Sequence, residues 1–228
     1  MWLRRDLRLQ DNAALYYALK ENKNVVLVFI FDKTILDDLE DKTDARVEFI
    51  HQSLELIQEQ LKELGSSLIV LYGNPIDIYK SLQAKTVYTN HDYEPYARER
   101  DSAIKEILEK KGISFKTYKD QVIFEKDEVT KEDGKPYTIF TPYSRKWKAA
   151  LNKFYLKSYP TEKYFSSFRK MKAGEIPSLK EIGFQKSGIE FPPRSIKQSI
   201  IENYQEQRNF PAISGTTKLS VHLRFGTV

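Results

Sequence analysis

Cysteine is absent from the 228 residues, so a disulfide framework and a thiolate metal site are both excluded. Histidine is scarce. His51, His91 and His222 are far apart in sequence, and none has the i, i+4 partner of a helical zinc site. No metal is expected. No apolar run approaches the ~20 residues of a membrane span, so no membrane partner is expected either. Arg4, Arg5 and Asp6 stand where a signal peptide would need its apolar core. A cytoplasmic protein is the resulting expectation. Two glycine motifs are also missing. Without G-x-G-x-x-G a conventional nicotinamide enzyme is disfavoured, and without G-x-x-x-x-G-K there is no P-loop.

The length exceeds the common domain size and allows a sizeable core, as one domain or one and a half. The net charge of +5 hides an asymmetry. Residues 1–128 carry 19 Lys/Arg against 24 Asp/Glu, and residues 129–228 carry 18 against 8. The front is mildly acidic and the back strongly basic. A basic region suits a polyanion partner; it suits a solvated lysine-rich surface equally.

Secondary structure follows from spacing. The run 25–31 (VVLVFIF) is β-branched and aromatic throughout, as in a strand covered on both faces. Val47, Ile50, Leu54, Ile57, Leu61 and Leu64 fall at helical intervals behind Asp44, with Gly65 as the stop. Strands are predicted at 67–72, 86–90 and 114–118. Between them lie a short helix near 76–83 and a longer one entered at Pro95 and stopped by Gly112. With a first strand ending at Leu3 and a helix capped by Asp11 or Asn12, the result is β-α-β repeated. That pattern predicts an α/β fold with a doubly wound, Rossmann-like, five-stranded parallel sheet. The alternation ends beyond Phe124. A turn-rich stretch, a basic aromatic segment and a long connector over 157–195 follow. Helical spacing returns with Ile196, Ile200, Ile201 and Tyr204, and another helix is predicted from about Thr217.

Chemistry is densest at 2–15, WLRRDLRLQDNAAL. Arg4, Arg5, Asp6 and Arg8 fall at the carboxyl edge of the first strand, where open α/β sheets hold ligands. They could also pair with one another as surface ions do. Asp92 and Glu94 precede the Pro95 helix, where negative charge favours the helix dipole.

Four stretches together resemble the photolyase/cryptochrome family. They are WLRRDLRLQDNAAL at 2–15, NHDYEPYARERD at 90–101, GKPYTIFTPYSRKW at 134–147 and NYQEQRNFPAISGTTKLSVHLRFGTV at 203–228. The resemblance runs over the whole length in the family's order. It implies an α/β antenna domain over 1–125, a connector over 126–195 and the start of a helical FAD-binding domain over 196–228. It also implies a chain cut at both ends, and inactive in repair by itself.

The resemblance assigns residues as well. Tyr204 and the hydroxyl-bearing segment Thr216, Thr217, Lys218, Leu219 and Ser220 match the family's FAD-pyrophosphate motif. Thr217 stands where serine is usual, and Val221 where proline is frequent. A hydroxyl-rich helix start suits an anion; read without the resemblance, Thr216 is a helix cap. Arg208 matches an arginine that approaches DNA phosphates. For the antenna pigment, Arg5, Asp92 and Glu94 match relatives that bind an 8-hydroxy-deazaflavin. The folate-binding branch carries Asn-Glu where Tyr96-Ala97 stand, so a deazaflavin, or no antenna, is expected rather than a folate. The implied activity is that of a class I-like DNA photolyase: a monomeric carbon–carbon lyase using FAD and light on pyrimidine dimers in UV-damaged DNA. A cryptochrome light sensor, a plain pigment- or nucleotide-binding module, and a DNA-binding accessory domain resting on the basic back half are the alternatives.

Overall fold

A computed structural model describes residues 1–228. Its elements are β1 (Trp2–Leu3), α1 (Ala13–Glu21), β2 (Leu27–Asp32), α2 (Lys33–Asp37), α3 (Ala45–Glu63), β3 (Leu68–Gly73), α4 (Pro75–Ser81), β4 (Thr86–Asn90), α5 (Pro95–Lys110), β5 (Ser114–Tyr118), α6 (Phe140–Ala150), a 3-10 turn (Thr161–Ser167), α7 (Gln198–Glu202), α8 (Tyr204–Gln207) and α9 (Ser220–Phe225). No helix is long and apolar enough to cross a membrane. The fold is α/β with parallel strand pairs.

The five strands do not form the single sheet expected; they lie in a three-stranded sheet, β1-β2-β3, and a two-stranded sheet, β4-β5. β1 is only two residues long and has few backbone groups to offer a ladder. Where a ladder would join β4 to it, the buried hydroxyl of Thr89 donates to the Trp2 carbonyl at 3.0 Å.

The chain divides into two compact units. The first comprises Met1–Trp2, Leu9–Val25 and Pro75–Arg169. In it β4 and β5 pair in parallel from Thr86↔Ser114 to Asn90↔Tyr118. Asn12 caps α1, accepting the Leu15 N–H at 3.1 Å. Two residues from the strand ends complete that cap: Asn90 accepts the Ala14 N–H and Asp120 the Ala13 N–H, each at 2.9 Å. The amides that bind pyrophosphate in a dinucleotide fold are therefore already occupied here. On α5, Ala97, Arg100, Ile104 and Leu108 are buried at helical spacing, and Pro95 opens the helix as predicted. Val25, read as the start of a strand, instead bridges Phe168.

The second unit comprises Leu3–Arg8, Val26–Asn74 and Lys170–Val228. β2 and β3 pair in parallel from Leu27↔Leu68 to Asp32↔Gly73. α3 buries Val47, Phe49, Leu54, Ile57 and Leu61, together with the polar side chains of Glu48, Ser53 and Gln58. Those polar residues hold the second half of the connector. Glu48 accepts the Ser187 N–H and hydroxyl, each at 2.6 Å, and Gln58 donates to the Gly174 carbonyl at 2.7 Å. The stretch read as a structureless connector is a strap bound along one helix.

Candidate functional site

Segment 204–220 lies in the second unit and is neither strand nor core helix. Tyr204 opens α8 and is 43% exposed. The Arg208 guanidinium sits 5.6 Å above its ring, a cation–π contact that leaves the guanidinium exposed. The chain then doubles back. A Cβ on Gly215 would lie 2.5 Å from Cβ of Gln207 and 3.1 Å from its carbonyl, so only glycine fits this crossing. Lys218 takes a left-handed backbone, φ +53°. α9 begins at Ser220, later than predicted. Leu219 is its N-cap and no side chain caps it, so Thr216 is not the helix cap.

The hydroxyls of Thr216, Thr217 and Ser220 make no hydrogen bond within the protein, and Thr216 and Ser220 are exposed. From Pro211 to Val228 there are three cationic residues or imidazoles, Lys218, His222 and Arg224, and no carboxylate. Three hydroxyls, an ammonium and no opposing charge form a donor set that fits a diphosphate. The expected site residues Tyr204, Thr216, Thr217, Lys218, Leu219 and Ser220 thus fall on one short stretch pinned by Gly215.

The arginine-rich turn lies in the same unit, at the far end of α9. Asp6 is buried and accepts the Arg4 N–H at 2.6 Å. The Leu7 N–H donates to the Phe225 carbonyl at 3.0 Å, and the Arg8 guanidinium reaches the Gly226 carbonyl at 3.4 Å. Gly226 has φ +59°, and a Cβ there would lie 2.5 Å from the Arg5 carbonyl oxygen. Arg5 itself is half-buried. Asp92 and Glu94 belong to the other unit. Glu94 occupies the N-cap position of α5 without capping it, and its N–H donates to Asp92 at 3.3 Å.

The first unit holds a cleft of about 1000 Å³ that sequence reading missed. It lies between one face of α5, the edge strand β5 and residues 122–127, with Asp92 at its margin. A relay of four side chains lines it. His91 Nδ1 is 2.7 Å from Glu125 Oε2, His91 Nε2 is 2.9 Å from the Thr117 hydroxyl, and the Tyr93 hydroxyl donates to Glu125 Oε2 at 2.7 Å. Burial raises the Glu125 pKa, but the bonds from Tyr93 and His91 outweigh it and hold the carboxyl below its ordinary range. Burial, then the Glu125 charge, pushes the Tyr93 phenol well above the usual tyrosine range. An ionised Glu125 accepts from His91 Nδ1. Of the four, His91 was weighed from sequence as a metal ligand, and His91 and Tyr93 fall in the stretch 90–101 that carries the resemblance; none was read as part of such a relay. Their juxtaposition depends on two strand ends and a loop 34 residues apart.

A model of the DNA photolyase family matches residues 1–163. The chain is 32% identical over 248 residues to the deoxyribodipyrimidine photo-lyase of a Synechococcus strain, covering 100% of this chain and 51% of that protein. It is 34% identical over 157 residues to cryptochrome-2 of Arabidopsis thaliana, covering 67% of this chain and 25% of that protein. Among solved structures it resembles an archaeal photolyase from Sulfolobus tokodaii that holds two FAD molecules, with TM-score 0.73 and 27% identity, over 100% of this chain and 51% of the other. The chain spans about half the length of the photolyases it matches.

Proposed function

The chain belongs to the DNA photolyase family, and from that premise we propose that it supplies the antenna domain and the flavin-phosphate segment of a light-driven DNA repair lyase. The observation that carries this reading is the stretch 204–220. It is largely exposed, carries no carboxylate from Pro211 onward, and is pinned by Gly215 against α8. The hydroxyls of Thr216, Thr217 and Ser220, with the Lys218 ammonium and the Tyr204 ring, would hold the FAD pyrophosphate. Bound and reduced, the flavin supplies the photoexcited electron that splits a pyrimidine dimer; the protein supplies position. Arg208 is the proposed phosphate contact to UV-damaged DNA, which would have to expose its damaged bases to the flavin.

The proposed organisation is an antenna domain over 1–125, a connector over 126–195 and the opening of the flavin domain from 196. Arg5, Asp92 and Glu94 are proposed as contacts for an antenna pigment of the deazaflavin or flavin kind. The resemblance supports these three contacts, and the Sulfolobus tokodaii photolyase, with its two FAD molecules, supports a second flavin-like pigment. A cryptochrome-type light sensor is the second reading, favoured by the stretch shared with cryptochrome-2.

FAD titration, followed by quenching of flavin fluorescence, tests the phosphate segment. Thr216→Val and Ser220→Ala are each expected to weaken binding several-fold, and Lys218→Ala more, since charge-assisted bonds are the stronger ones. FAD binding that none of the three variants changes would remove this segment from the flavin site. Light-dependent loss of dimers from an irradiated oligonucleotide, assayed in the protein with its flavin bound, separates lyase from sensor.

A further inference from the structure

We propose that the cleft beside β5 is a binding site for a flat amino-substituted nitrogen heterocycle, the chemistry of a purine nucleoside base, recognised by the free oxygen of Glu125. Both hydrogen bonds to Glu125 fall on Oε2. Oε1 is therefore a carboxylate oxygen with no partner in the protein, on a side chain only 15% exposed. An ionised acceptor held in a cleft asks for an N–H donor, because a half-buried charge gains most from a short charge-assisted bond.

The acceptor is built, not incidental. The Glu125 N–H donates to Glu128 at 2.6 Å, Glu128 is paired with Lys119 at 2.7 Å, and the Glu128 N–H returns to the Glu125 carbonyl at 3.1 Å. Lys126, next in the turn, is held at φ +49°, a conformation that costs energy for a side chain bearing a Cβ. A preorganised group binds with less entropy lost.

The walls define the ring. Phe115 and Phe124 line the cleft, and Phe124 is fixed by Trp147 and Tyr155, with ring centroids 5.4 and 4.6 Å away. Flat apolar faces with one convergent acceptor are the usual make-up of a heterocycle pocket, and the volume lies at the upper end of the ordinary range. Three cations and four carboxylates line the cleft. That balance disfavours an added phosphate, so the base or nucleoside is the ligand and not the nucleotide. Of the proposed antenna contacts only Asp92 lines the cleft; Arg5, Glu94 and the residues of 204–220 do not.

Calorimetric titration of the chain with adenosine, N6,N6-dimethyladenosine and adenosine monophosphate tests this. Adenosine is expected to bind. The dimethyl analogue keeps the ring and loses the N–H donors, and is expected to bind at least about tenfold more weakly. The monophosphate is expected to bind more weakly than the nucleoside. Glu125→Gln is expected to weaken adenosine about tenfold while leaving the dimethyl analogue unchanged. That variant also alters the His91 bond, so Ser102→Phe, on the exposed rim of α5, serves as a second. It fills the cleft without touching the relay and is expected to abolish binding with the thermal midpoint unchanged. Absence of adenosine binding, equal binding of the two nucleosides, tighter binding of the monophosphate, or full binding by Ser102→Phe would each overturn the proposal.

Discussion

Gly226 and Gly112 both follow helices in the left-handed region, at φ +59° and +69°, yet their surroundings differ completely. A Cβ on Gly112 meets nothing within 4 Å, whereas one on Gly226 overlaps Arg5 and Asp6. Gly112→Ala is therefore expected to cost only the backbone term, about 1 kcal/mol. Gly226→Ala carries that term plus the overlap and is expected to cost at least about 2 kcal/mol more. Urea unfolding of the two variants measures the difference, and equal losses would mean that the arginine-rich turn yields freely. Gly112 and Gly65 were legible as helix stops because the signal lies in neighbouring residues, and both take positive φ. The need for glycine at 226 was not legible, because the atoms that forbid a Cβ lie about 220 residues away. The residues proposed to hold the flavin phosphates were legible only as a motif. Nothing in their spacing shows that Gly215 must cross Gln207.

At the scale of elements, α3 carries two messages in one helix. Its apolar spacing was readable, and Val47, Leu54, Ile57 and Leu61 are buried as that spacing requires. The polar stripe was not, because Glu48 and Gln58 look like any solvated face until the strap is seen on them. The Gln58 amide donates to Gly174 and to Ser67, and its oxygen accepts the Leu68 N–H at 2.8 Å. Gln58→Ala would leave a buried N–H and a carbonyl unpaired, and is expected to cost about 1–3 kcal/mol in a urea melt. Glu48 gives the same strap a pH dependence. Hydrogen bonds from Ser187 outweigh burial and hold its carboxyl below the ordinary glutamate range. Its folded pKa is thus depressed, so its contribution is complete above the unfolded pKa and is lost as pH falls through the folded one. Amide exchange in residues 184–190 is expected to quicken as pH drops below about 4.5, relative to the intrinsic rate. Glu48→Gln is expected to flatten that profile; an unchanged profile would remove Glu48 as its cause. Elsewhere, β4 and β5 were legible to the residue, since Gly, Pro and helix caps bound them closely. α7 and α8 were read as one helix and are two short ones, meeting at Asn203.

Over the whole molecule, the sequence order of strands and helices was enough for parallel pairing but not for sheet continuity. Continuity turns on β1, whose two residues carry too little pattern to read. The cleft beside β5 was illegible for a related reason: it needs both strand ends and the following loop in place at once. Charge, by contrast, is a whole-chain property that sequence reports directly. The excess of ten cations beyond residue 128 coincides with exposed Arg208 and with the carboxylate-free end of the chain. If that region meets DNA, affinity falls with salt in proportion to the phosphates neutralised, at a logarithmic slope of about −0.9 per phosphate. Arg208→Ala is then expected to lower affinity for irradiated duplex at low salt and to reduce the slope magnitude by about one, because one charge fewer displaces one counterion fewer. Lys163→Ala, remote in sequence from the proposed interface, provides the comparison and is expected to leave the slope unchanged. A titration between low and moderate salt measures both, and an Arg208→Ala slope equal to that of the parent would place this guanidinium over the Tyr204 ring for packing alone.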